Sequence, residues 1–299
     1  MKIADPHHHL WDLEKHVYPW LKDPVDHFAG DYTDIRKTYL VRDFLADASG
    51  LDLEKSVHLQ AEFDHTQDPV KETAWLTEVH DDPASKGLPS AIVGFADLLA
   101  PDVDGVLARH AAYPLVRGIR YMLNYSEREP RLRFASRGDL MRDEQWRRGF
   151  RLLAKHSMSF DLQVWPWQLG EAAKLAKDVP EVPQVLDHTG LPIRRDRAGL
   201  DEWRRGMREL ASAPHVTVKI SGLGMFQRGF EAEDIKPFVL DTVDIFGVER
   251  SMFASNFPVD RLASSYRHLW ESYDTITKRF TAAERSALFH DNAVRVYRL

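Results

Sequence analysis

The chain has 299 residues, 43% of them apolar and 29% charged, with a formal net charge of −6. That balance excludes a disordered or membrane-embedded chain, and the arginines lie scattered among carboxylates rather than in the basic stripe nucleic acid binding requires. The absence of cysteine removes disulfides, thiolate nucleophiles and Cys-ligated zinc, which leaves imidazole and carboxylate as metal ligands.

In chain order, short apolar runs alternate with amphipathic segments, the pattern of βαβ units around a parallel sheet. Residues 2–6 read as a strand running into Pro6-His7-His8-His9. No signal-peptide segment precedes it and no stretch approaches 18 apolar residues, so a cytoplasmic location is the expectation. Residues 12–39 lack a regular period and hold Tyr18, Trp20, Phe28, Tyr32 and Tyr39; a loop of this length is either a lid over a site or a packed excursion. A helix near 41–48 leads into a strand at 56–61. Asp68 before Pro69 marks a helix start, after which Glu72, Trp75, Leu76 and Val79 recur at helical spacing.

Strands follow at 90–97, 116–121, 159–164, 182–187, 215–221 and 251–255. Helices near 102–113, 142–155, 169–177, 201–213 and 233–246 separate them, and another spans 265–279. Thr281 and Glu284 form a capping box for a last helix over 282–290. The eight strands alternating with helices predict an α/β fold, a (β/α)8 TIM barrel in one domain over 1–299. An open doubly wound sheet is the alternative that counting leaves, and no Gly-rich phosphate loop supports it.

Three strand ends carry chemistry. Side chains alternate along a strand, so His7 and His9 share a face while His8 takes the other. Two imidazoles at a strand's C-terminal end make half of a site for Zn²⁺ or a similar divalent ion. The bland reading, a His-rich turn or a tag remnant, sits badly with the Leu10-Trp11 that follows. Asp187-His188-Thr189-Gly190-Leu191-Pro192 ends a second apolar strand in a sharp turn; in a barrel it brings His188 to the end that holds His7 and His9, while standing alone it would be structural. Ser255-Asn256-Phe257-Pro258-Val259-Asp260 ends the third.

These segments resemble the amidohydrolase superfamily, specifically the lactonase-like amidohydrolase-2 branch related to 2-pyrone-4,6-dicarboxylate lactonase, L-fuconolactonase and 4-sulfomuconolactonase. The resemblance spans essentially the whole chain, adding Gly118-Ile119-Arg120, Lys219-Ile220-Ser221-Gly222-Leu223 and Asn292-Ala293-x-x-x-Tyr297 to the motifs above. It implies a hydrolase in which the first-strand and sixth-strand histidines and an eighth-strand aspartate surround the metal or the scissile carbonyl, with the aspartate handling the proton of the attacking water. This chain departs from the pattern at that last position: Asn256 stands where the family has Asp, and a neutral amide neither accepts a proton nor adds negative charge to a cation. His7, His9 and His188 can still hold a divalent metal, zinc first, with one position open. Members of the branch differ in whether they need a metal, so its presence is left open.

Substitutes for the base are Glu62, at the end of the second strand, and His188 itself, whose ordinary pKa of about 6.5 suits neutral pH when no metal takes its nitrogen. Glu62 otherwise reads as a solvated loop acid, and Asp260, beyond a proline, as the cap of the next helix. Arg120 is placed to receive a substrate carboxylate, or to ion-pair within the barrel wall. Lys219 is placed to polarise a carbonyl, or to lie among the barrel's interior layers. Trp20, Trp165 and Trp167 are pocket walls or packing. The expected reaction is hydrolysis of a cyclic ester, a sugar-acid lactone or carboxylated ring-cleavage product, on a small anionic substrate with neither nucleic acid nor membrane as partner. Non-oxidative decarboxylation and a barrel that binds without turnover are the alternatives, and homo-oligomerisation is left open.

Overall fold

The computed structural model describes residues 1–299, and in it eight strands pair in chain order. They are β1 (Lys2–His8), β2 (Asp52–Leu59), β3 (Ala91–Gly94), β4 (Val116–Met122), β5 (Ser159–Gln163), β6 (Gln184–Leu186), β7 (Val216–Ile220) and β8 (Ser251–Phe253). Every neighbouring pair is parallel. The ring closes just beyond β8, where His9 N–H donates to Phe257 O at 2.7 Å and Asn256 N–H donates to His7 O at 2.8 Å. Two strand ends carrying expected site residues are thus tied directly together. The register of β1 on β2 shifts between Asp5 and His8, across Pro6, which has no N–H to give the ladder.

The helices are α1 (Pro19–Lys22), α2 (Val41–Asp47), α3 (Val70–Asp81), α4 (Val103–Ala111), α5 (Glu144–Lys155), α6 (Leu169–Asp178), α7 (Arg197–Ala211), α8 (Ala232–Phe246), α9 (Tyr266–Ile276), α10 (Ala282–Ser286) and α11 (Asn292–Tyr297). None is long and apolar enough to cross a membrane. Helix α7 starts earlier than its apolar spacing suggests because the Asp196 carboxylate accepts from Gly199 N–H at 2.7 Å and caps it. The single helix expected over 282–290 is instead interrupted by a π turn, Ala287–Asp291, although the Thr281/Glu284 capping box forms.

Strand alternation sorts the barrel into two cores. Outward residues such as Ile119, Phe160, Leu162, Leu186, Val218, Ile220 and Phe253 join the large apolar cluster under the helices. Inward residues Ala4, Val57, Leu59, Ala91, Val93, Val185 and Met252 pack with Ala293 and Tyr297 of α11, so the C-terminal helix closes the N-terminal end of the barrel. One register further along the strands the inward residues turn polar, with Asp161, Lys219 and Asp187 all fully buried. The site rests on this layer.

Candidate active site

A cavity of 580 Å³ opens at the C-terminal ends of the strands, with His9, Arg120, Gln163, His188 and Asn256 on its floor and Glu62 on its wall. His7 lies beneath, fully buried, its ring centroid 4.4 Å from that of His188 and 5.0 Å from that of His9. The three imidazoles are therefore brought together, while His8 takes the opposite face, stacking on Phe44 at 4.1 Å and bonding Ser56 Oγ at 3.0 Å.

Hydrogen bonding sets the tautomers. His9 Nδ1 lies 2.8 Å from Leu59 O, which can only accept, so Nδ1 carries the proton and Nε2 keeps its lone pair. His188 Nδ1 is 3.1 Å from Ser221 Oγ. His7 Nδ1 is 3.3 Å from Asp187 Oδ1 and 3.4 Å from Lys219 Nζ, and its Nε2 is buried without a partner. Burial pushes all three imidazoles well below their ordinary pKa, helped by Lys219 beside His7 and by Arg120 beside His9 and His188. All three are neutral at pH 7. The same burial makes His188 a weaker proton acceptor than its ordinary pKa suggests.

Asp187, from the motif that supplied His188, proves central. It is fully buried, 3.2 Å from Lys219 Nζ and 3.9 Å from Arg120 Nη1. Burial raises its carboxyl above the ordinary value, and the two cations pull it partly back. Nitrogens of His7 and His188 and a carboxylate oxygen of Asp187 lie within 4.8 Å of one another. Neither Asp187 oxygen makes a geometrically sound hydrogen bond. An imidazole pair with a carboxylate and orphaned lone pairs is a donor set that fits a divalent ion of the zinc type. Asp187 joins His7 and His188 in this cluster, with the His9 ring 5.0 Å from that of His7.

Lys219 is fully buried between Asp187 and Asp161, 3.5 Å from the latter, with the Tyr297 ring 5.1 Å away. It does not line the cavity, so the interior-layer alternative is the one the structure adopts. Trp165 is also absent from the lining: its Nε1 donates to Leu132 O at 2.9 Å, and its ring backs Phe28 at 5.2 Å. Trp20 does line the cavity, with Nε1 donating to Ala61 O at 2.9 Å. Segment 12–39 acts as roof, contributing Trp20, His27 and Phe28, so the lid alternative describes its position. Arg120 reaches the cavity, but its Nη1 donates to Gln163 Oε1 at 3.1 Å and its Nη2 to Gln60 O, which leaves only the remaining N–H groups for a ligand. Glu62 accepts from Gln60 Nε2 and stands 3.7 Å from His65 Nε2. Asp260 caps no helix: it is buried and accepts from Asn256 Nδ2 at 2.9 Å.

Known proteins share this architecture and much of this sequence. The amidohydrolase family model matches residues 4–299. The chain belongs to the amidohydrolase family. It is 47% identical to the uncharacterized protein y4mH of Sinorhizobium fredii, over 99% of this chain and 98% of that one. It is 33% identical to an L-fucono-1,5-lactonase of Burkholderia multivorans, over 99% of this chain and 95% of the relative. A crystal structure of a Burkholderia multivorans amidohydrolase with bound zinc superposes with a TM-score of 0.81 at 29% identity, covering 100% of both chains. This amidohydrolase is accordingly a hydrolytic enzyme on a TIM barrel.

Proposed function

We propose that the protein opens a cyclic ester, a sugar-acid lactone or a carboxylated ring-cleavage product, by attack of water in this cavity. The observation that carries the reading is the single cavity in which neutral imidazoles His9 and His188, the Arg120 guanidinium, the Glu62 carboxylate and the Asn256 amide all meet. The likeness to an L-fucono-1,5-lactonase along nearly the whole chain supports the same substrate class.

Arg120, through the N–H groups its protein partners leave free, holds the anionic part of the substrate or the developing oxyanion. Glu62 takes the proton as the water oxygen bonds to the carbonyl carbon and the carbonyl electrons move onto oxygen. When the tetrahedral adduct collapses, the ring C–O bond breaks and Glu62 returns the proton to the departing alkoxide, giving the open hydroxy acid. His188 is the weaker candidate for that proton, because burial and Arg120 both lower its affinity for one. A divalent ion, which His7, Asp187 and His188 would hold, supplies Lewis-acid polarisation of the carbonyl or the water when bound.

A lactone panel followed by a pH indicator tests the reading. The expected result is acidification by the wild type, lost in Glu62→Gln and in His188→Ala; acidification surviving both would remove the chemistry from this cavity.

A further inference from the structure

Asn256 puts a neutral amide on the cavity floor, and a carboxyl group stands directly behind it. Asn256 Nδ2 donates to Asp260 Oδ1 at 2.9 Å, and Asp260 N–H donates to Asn256 O at 3.1 Å, closing a short loop between the two residues. The Asn256 backbone is fixed as well, by its left-handed φ of +59° and by its N–H bond to His7 O at 2.8 Å. The amide oxygen has no partner within the protein, yet it is not among the closed-off polar atoms, and the residue lines the cavity. That oxygen therefore opens on the cavity.

Asp260 is an unusual group to bury. It is 1% exposed, no basic side chain pairs with it, and besides the Asn256 amide only the Gly222 backbone N–H faces it, without a well-formed bond to Oδ2. An isolated acid in such a place costs stability unless it is protonated or its hydrogen bonds are good, and a leucine of similar size would avoid that cost. The hydrogen bond that Asp260 accepts from Asn256 Nδ2 specifies the orientation of a cavity amide. An Asn side chain without that acceptor can present either NH₂ or carbonyl oxygen to the cavity.

We propose that Asp260 is a positioning residue that holds the Asn256 amide with its carbonyl oxygen facing the cavity, where that oxygen accepts a hydrogen bond from the attacking water. The negative end of the Asp260–Asn256 pair then orients the water, while proton transfer stays with Glu62. This rests on the hydrolytic reading above. Burial raises Asp260 to about 7, and its oxygen accepts from the amide in either protonation state, polarising it in the direction that strengthens its acceptor oxygen.

The experiment compares wild type, Asp260→Asn and the exchange variant Asn256→Asp/Asp260→Asn on whichever lactone the wild type opens. Asp260→Asn is expected to lower kcat by about 100-fold, the scale of a misplaced reactant, with KM within about twofold. Its melting temperature should be equal or higher, since a buried unpaired acid is gone. The exchange variant, with carboxylate toward the cavity and amide behind it, should recover at least tenfold of that loss. A kcat for Asp260→Asn within twofold of wild type, or a loss that tracks a fall in melting temperature and is not recovered by the exchange, overturns the proposal. The side-chain NH₂ resonance of Asn256 is read in parallel and needs no substrate. It should be shifted downfield and slow to exchange in wild type and move upfield in Asp260→Asn. An unchanged signal refutes the orienting role even if no lactone is opened, an outcome that would count against the hydrolytic reading alone.

Discussion

Replacing Lys219 by methionine separates the role the structure gives this residue from that of a substrate-binding lysine. Its ammonium is fully buried, 3.2 Å from Asp187 Oδ1 and 3.5 Å from Asp161 Oδ2, while Tyr297 Oη donates to Asp161 at 2.7 Å. At these distances each ion pair has a Coulomb energy of about 5 kcal/mol at an effective dielectric of about 20, most of it offset by desolvation. Removing one partner strands the carboxylates, at a cost of about 3 kcal/mol or more. For a chain of this size that lowers the melting temperature by roughly 5–10 °C. The loss should also depend on pH. Burial already raises Asp161 to about 6, from an ordinary carboxylate value of 3.8. The folded state therefore binds more protons than the unfolded state between those values, and its stability falls as pH rises through that window. Without Lys219 the folded-state value climbs further, so the gap between variant and wild type should be wider at pH 8 than at pH 5. Scanning calorimetry at the two pH values measures it. A melting temperature within about 2 °C of wild type at both, accompanied by a raised KM, would return Lys219 to the substrate and refute the buried-network account.

Glu62→Gln should lower kcat at least about 100-fold with unchanged melting temperature, because it removes only a proton acceptor on the cavity wall; steady-state kinetics on the opened lactone checks this. His188→Ala should reduce the zinc retained after dialysis by about tenfold or more, measured by elemental analysis, since second-sphere changes alone already cost 10- to 100-fold. Glu72, buried on α3 and accepting from Ala61 N–H at 3.1 Å, is raised by burial to about 8 from 4.5. Its folded state keeps a proton that the unfolded state releases above the ordinary value, so it destabilises increasingly as pH rises toward 8. Glu72→Gln should then raise the melting temperature more at pH 9 than at pH 6, and an equal effect at both would contradict the raised value.

The fold was legible because both-face burial leaves apolar runs at regular intervals, and His7, His9 and His188 were legible because strand polarity in a barrel sends all three to one end. The inner polar layer was available by the same rule. Ser159, Asp161 and Gln163 alternate with Phe160 and Leu162 along β5, and a polar residue repeating at period two in a doubly covered strand points inward; Asp187, one residue past β6, keeps the face of Val185. Lys219 shares that register on β7, which left it ambiguous between cavity and layer. Its depth decided the matter, and depth depends on the stagger of strands in the closed barrel. The roof was not readable residue by residue. His27 and Phe28 meet Phe134 across the mouth, with centroids 5.9 and 5.7 Å away, from loops about a hundred residues apart and with no periodicity to relate them.

Backbone conformation bears on whether the cavity is catalytic or a barrel that only binds. Glu62, His188 and Asn256 have φ of 58°, 53° and 59°, each shortly after the last residue of β2, β6 or β8. A left-handed residue there turns the chain sharply off the strand and swings its side chain over the barrel mouth. Outside glycine that conformation costs about 1 kcal/mol or more per residue, somewhat less for asparagine. The chain also uses glycine nearby, Gly190 and Gly222 having φ of 65° and 67°. At Gly222 an added Cβ would come 2.8 Å from His188 Cβ, so this glycine also makes room for the imidazole. Lys86, Ser157, Thr189, Leu191 and Arg298 share the conformation away from the cavity lining; what distinguishes Glu62, His188 and Asn256 is that all three line the one cavity. Asn256 is among them, so its amide faces the same cavity as Glu62 and His188, which is the placement the proposed positioning role of Asp260 requires.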